Sequence, residues 1–161
     1  MDRVRREPSG RFRLRLRPNE TSLMVALVEQ LREQLSASTD RPTLRRLFPP
    51  AYPDDAEKDA GYQVLTRDEL AERKLSALAV VESGLSQQGS ATDTQLDEDQ
   101  LSQWMLALNS IRLVLGTRLD VDEDTELDPD DPNAALYAVY EFLGWLLSQV
   151  VDALTEQLDE D

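Results

Sequence analysis

From Arg11 to Arg17 charged and apolar residues alternate strictly, with Phe12, Leu14 and Leu16 on one side and arginines on the other. A period of two belongs to a strand with one buried face. The one partner that the pattern offers is Tyr62-Gln-Val-Leu65. The strand is therefore expected at the edge of a minimal two-stranded ribbon laid on helices.

Beyond Pro18 and Asn19 the period becomes helical. Leu23, Met24, Leu27, Val28, Leu31 and Leu35 share one face of a helix reaching about Ser36. A polar connection fills residues 36–41. In residues 43–55, Pro49, Pro50 and Pro53 break any helix after a turn or two, so this reads as a loop tacked to the core by Leu47, Phe48 and Tyr52. Thr66 with Glu69 forms a capping box that opens a helix carrying Leu70, Ala77, Leu78, Val81 and Leu85 and ending near Gly84. Residues 86–94, rich in Ser, Gln, Gly and Thr, read as a flexible loop.

A second box, Asp97 with Gln100, starts a helix expected to end at Leu115 with Gly116 as its cap. Leu101, Trp104, Met105, Leu108, Ile111 and Leu115 lie on one side of it, Leu106 and Leu113 on another, which predicts the central helix. Asp131 followed by Pro132 opens a last helix of about 25 residues, to near Leu158. Its main stripe is Leu136, Val139, Tyr140, Leu143, Leu147, Val150, Val151 and Leu154. The predicted class is mainly α: a compact bundle of about four main helices plus a short N-terminal edge strand. Residues 1–9 are expected as a flexible basic arm and residues 10–158 as one helical domain.

Composition narrows the chemistry. The 161 residues include neither Cys nor His and carry a net charge of −15. Thiolate nucleophiles, disulfides, Cys-type zinc sites and histidine bases are thereby excluded, and no enzyme, metal or cofactor is expected. No apolar run reaches bilayer length, and the Arg-rich start lacks a signal-peptide core, so a soluble cytoplasmic protein without membrane association is expected. Seven arginines against Asp2 and Glu7 make residues 1–17 basic by +5, leaving −20 on the rest. An acidic body repels phosphate and offers carboxylates to its own arm, which argues against direct DNA binding.

Several residues break the pattern. Arg112 falls in the middle of the apolar stripe of its helix and needs a carboxylate, carbonyls or a bound anion. Lys74 sits among Leu70, Ala77, Leu78 and Val81, where its stem could snorkel to the edge of the core. Lys74, Asn109 and Arg112 could alternatively converge on one polar pocket for a small ligand or anion. Residues 120–131 carry acids at the first, third, fifth, seventh, ninth and twelfth places of a calcium loop. Thr125, however, replaces the required Gly and Asp131 the bidentate Glu, so a solvated cap that supplies partners for Arg112 is preferred. On the last helix Ala138, Phe142 and Trp145 form a second apolar cluster beside Gly144. They fit either an inner layer of the fold or an interface, including a homodimer through this helix.

Three segments carry a resemblance: Arg46-Leu-Phe-Pro-Pro-Ala-Tyr-Pro-Asp-Asp55, Leu106-Ala-Leu-Asn-Ser-Ile-Arg-Leu-Val-Leu-Gly-Thr-Arg118 and Val139-Tyr-Glu-Phe-Leu-Gly-Trp145. In order and spacing they resemble an actinobacterial domain-of-unknown-function family that includes the AosR-type oxidative-stress regulators. The likeness runs from about Gly10 to Leu154, the acidic Glu126-Leu-Asp-Pro-Asp-Asp-Pro132 included. It implies a transcription-linked regulator acting through an alternative sigma factor, with a gene commonly near that of the ClpS protease adaptor. It also implies a CxxxC pair in the redox-active members, and this chain has no Cys to supply one. The residues expected to meet a protein partner are Arg13, Arg15, Phe142 and Trp145.

Overall fold

The alternation that begins at Phe12 does build a strand, but a central one. The computed structural model describes residues 2–37, 42–120 and 130–159, with side chains to residue 156. Strand β1 (Val4–Arg6) and strand β2 (Phe12–Leu16) form an antiparallel hairpin, and strand β3 (Thr92–Leu96) pairs antiparallel on the other edge of β2. The sheet thus has three strands rather than two. The proposed partner at Tyr62–Leu65 is helical instead. β3 falls in the stretch read as a flexible loop, because Thr92 and Thr94 fill inward positions that an apolar count ignores. Thr92 is nevertheless buried, its hydroxyl 2.7 Å from that of Thr21. Gly10, at φ +87°, turns the first hairpin where a side chain would be strained. β1 lies inside the segment expected to be a flexible arm.

Phe12, Leu14 and Leu16 point inward from β2 and are buried against four helices. These are α1 (Pro18–Ala37), α2 (Ala56–Gly84), α3 (Glu98–Leu119) and α4 (Ala134–Asp159), with a single 3-10 turn at Pro42–Leu44. Helix α3 is central, as its all-round apolarity predicts, and packs on both α2 and α4. Trp104, Leu101 and Leu108 from α3 meet Met24 and Val28 of α1, Leu78 and Val81 of α2, and Leu143, Leu146 and Val150 of α4 in one core. Each fully buried side chain of this kind contributes about 1.5–3 kcal/mol.

Three helix ends depart from the signals. Helix α2 begins ten residues before Thr66, because Asp55 caps it by accepting from the Lys58 N–H at 3.0 Å while Glu57 and Asp59 complement the dipole. The preceding loop folds onto the added turns: Asp59 accepts from the N–H groups of Ala51 and Tyr52, and Gln63 donates to the Pro49 carbonyl. Replacing Asp55 with Ala should therefore cost about 1 kcal/mol, read as a lowered urea midpoint. An unchanged midpoint would mean that the loop tethers alone fix this end.

Helix α3 passes through Gly116 to Leu119 and is capped by Asp120 in the left-handed conformation. Gly116 is an interior residue because a Cβ there would lie 3.1 Å from the Tyr140 ring of α4. Helix α4 starts at Ala134, after a turn in which Asp131 accepts from the Asn133 N–H. By length and composition its stretch Ala134–Glu156 could cross a bilayer. Its buried side, Leu143, Leu146, Val150 and Ala153, packs into the protein core.

Candidate interaction surface

The period of two leaves Arg11, Arg13, Arg15 and Arg17 on the outer side of the sheet. Cross-strand neighbours then decide their partners. Arg13 donates to Asp93 of β3 at 2.7 Å and to Glu7 at 3.3 Å, and Arg15 reaches Asp93 at 3.5 Å. The Asp93 and Glu7 bonds raise the Arg13 pKa above its ordinary value. A hydrogen bond from Gln95, with the Arg13 guanidinium next to it, holds the Glu7 carboxyl below the usual carboxylate range. The Arg15 side chain remains 65% exposed.

Arg3, counted within the arm, is buried instead. Its guanidinium grips Glu20 of α1 through bonds of 2.8 and 3.2 Å, and Glu20 also accepts the Arg17 N–H at 2.9 Å. Burial pushes the Glu20 pKa up, but the hydrogen bonds from Arg3 and from the Arg17 backbone outweigh it and leave the group below its ordinary value. The same guanidinium lies 5.4 Å from the centre of the Trp145 ring, which packs beside Phe142 at 6.0 Å. Gln149 of α4 accepts the N–H groups of both Arg3 and Val4, so it fastens β1 to the last helix. Sequence reasoning missed this group. The readable signal was Glu20 three residues after Arg17, the spacing of half a capping box.

Two clefts flank β1 and share Arg5, Arg6 and Glu7. One of about 240 Å³ opens onto Arg3, Arg13 and Arg15. The other, about 500 Å³, runs to Gln149, Asp152 and Glu156 of α4. Of the four residues expected to meet a partner, Arg13 and Arg15 share a cleft with Arg3, and Arg3 lies by Trp145, which packs beside Phe142. Trp145 is 41% exposed.

Lys74, Asn109 and Arg112 stand in three different environments. Lys74 is half-buried on α2 with its pKa lowered by burial, and it makes no hydrogen bond or ion pair among the described residues. Asn109 is exposed on α3. Arg112 meets no carboxylate among the described residues either. It lies flat on the Tyr140 ring at 4.5 Å and against Gly144, where a Cβ would stand 3.2 Å from Nε. Gly144 thus leaves room for Arg112, whose contact among the described residues is an aromatic face. Residues 121–129, the body of the calcium-like loop, lie outside the described residues. Among the described ones no cluster of acids could hold a metal ion.

A family model described as "Domain of unknown function (DUF2017)" matches residues 1–154. AosR of Mycobacterium leprae is 28% identical over 187 residues, covering 94% of this chain and 86% of that protein. "Oxidative stress regulator AosR" of Mycobacterium tuberculosis is 27% identical over 186 residues, covering 92% and 84% respectively. No solved structure matches the chain.

Proposed function

Because the chain belongs to the DUF2017 family, we propose that it is a non-enzymatic regulatory protein of the AosR type, acting by contact with a protein partner. The relatives named oxidative stress regulators support the regulatory role. A sequence without Cys or His supports the non-enzymatic one and leaves no thiol to switch. The finer reading names an alternative sigma factor in the cytoplasm as the partner. The −20 body complements surfaces that are basic where they face DNA, while Arg13 and Arg15 select acidic groups on their rim.

One observation carries this reading: the unbroken path from Arg13 and Arg15 through Arg3 to Trp145 and Phe142. Aromatic and arginine side chains are the usual anchors of protein interfaces, and here the exposed Arg15 and Trp145 flank the buried Arg3. Affinity purification from actinobacterial cells, with and without peroxide, is expected to recover a sigma factor whose binding weakens as salt rises. The double change Arg15→Glu with Trp145→Ala should reduce that binding by about tenfold or more. Recovery of no transcription component, or binding indifferent to salt, would sink the proposal.

A further inference from the structure

Helix α4 is far more apolar than its packing requires: only 17% of its most apolar stretch is buried. Helical spacing puts Leu147 and the 40% exposed Val151 on the face of α4 that carries Gly144, and it puts Leu113 and the 49% exposed Leu106 together on an outward face of α3, about 100° round from Arg112. Arg112 lies in the seam between the two helices, flat on Tyr140 and against Gly144. Its Nε is buried without a hydrogen-bond partner, and no carboxylate among the described residues pairs with its guanidinium.

Whatever covers this surface must remove the guanidinium from water. That is strongly unfavourable unless the newcomer brings an acceptor, ideally a carboxylate that fits the guanidinium fork. Acyl chains bring none. A second copy of the chain would set another −15 against the first. The exposed acids Glu141 and Asp152 on α4 suit basic flanks on the occupant.

We propose that the α3–α4 seam is a docking groove for an amphipathic helix of another protein. The apolar stripe of that helix carries one Asp or Glu for Arg112, and its flanks carry Lys or Arg. This face adjoins the arginine and tryptophan cluster around β1 through Asp152, but it rests on Arg112, which lies outside that cluster, so the proposal stands whether or not the cluster binds a regulator.

The test uses the full chain and a fluorescein-labelled, lactam-stapled helix with a leucine stripe, lysine flanks and one central Glu, alongside the same helix with Gln at the centre. Anisotropy titrations at physiological salt should give the Glu helix about tenfold tighter binding, the scale of a charge-assisted hydrogen bond. Arg112→Gln should erase that preference, and Arg112→Lys should retain part of it. Leu106→Ser with Val151→Ser, both at exposed positions, should weaken both helices alike. Equal affinity for the two helices, or a preference that survives Arg112→Gln, overturns the proposal. It is equally overturned if the free protein sediments as a dimer that Leu106→Ser with Val151→Ser dissolves, or if neutral lipid vesicles compete with the Glu helix for the face.

Discussion

Truncating Trp104 to alanine should cost about 4 kcal/mol of stability, the scale of large-to-small changes at fully buried aromatic sites. The indole is completely buried where α2, α3 and the sheet converge, and Gly84 exists there without a side chain because a Cβ would stand 3.3 Å from the ring. Trp104→Phe should be far milder, below about 1.5 kcal/mol, since it keeps a ring and removes an indole N–H that is buried without an acceptor. Chemical denaturation of both variants checks this, and equal losses would contradict it.

Arg3→Ala is expected to cost about 2 kcal/mol, less than a fully buried pair would, because both side chains keep about a tenth of their surface in water. The loss should carry a pH signature. Glu20 sits below its ordinary value in the folded protein, so the unfolded chain takes up its proton first as acid is added. Its contribution is complete above the usual Glu value of about 4.3 and drains away as pH falls from there through the lowered native value. Melting curves of Glu20→Gln should show a shallower acid slope than the parent in that window. Parallel slopes would remove Glu20 as the acid-sensitive group.

Helix content, the central place of α3 and the Asp97–Gln100 cap were legible because they rest on local spacing and capping chemistry. Features set by contacts distant in sequence were not. Nothing near Thr92 announces a strand; it pairs because β2, some 80 positions earlier, offers an open edge. The first turns of α2 were hidden by three prolines that lie wholly outside them, and by Asp55, whose capping role no Glu or Gln at the third position advertises. Gly116 looked like a stop signal because a glycine gap for Tyr140 cannot be seen in one dimension. Of the cluster around β1, Arg13, Arg15, Phe142 and Trp145 stood out in the sequence, but Arg3, which links them, was hidden in what looked like a loose tail. Arg112 stood out in the sequence as a charge within an apolar stripe, and among the described residues its contact is the Tyr140 ring.

The clasp of Gln149 on the N–H groups of Arg3 and Val4 spans 146 and 145 positions of the chain. During synthesis the first hairpin emerges long before its fastening does. At about 5–20 residues per second, roughly 7–30 s pass before Gln149 is even made. Over that interval the nascent sheet has an uncovered flank and lacks the apolar side chains of α4. Truncation ahead of α4 should therefore yield a chaperone client rather than a smaller folded protein.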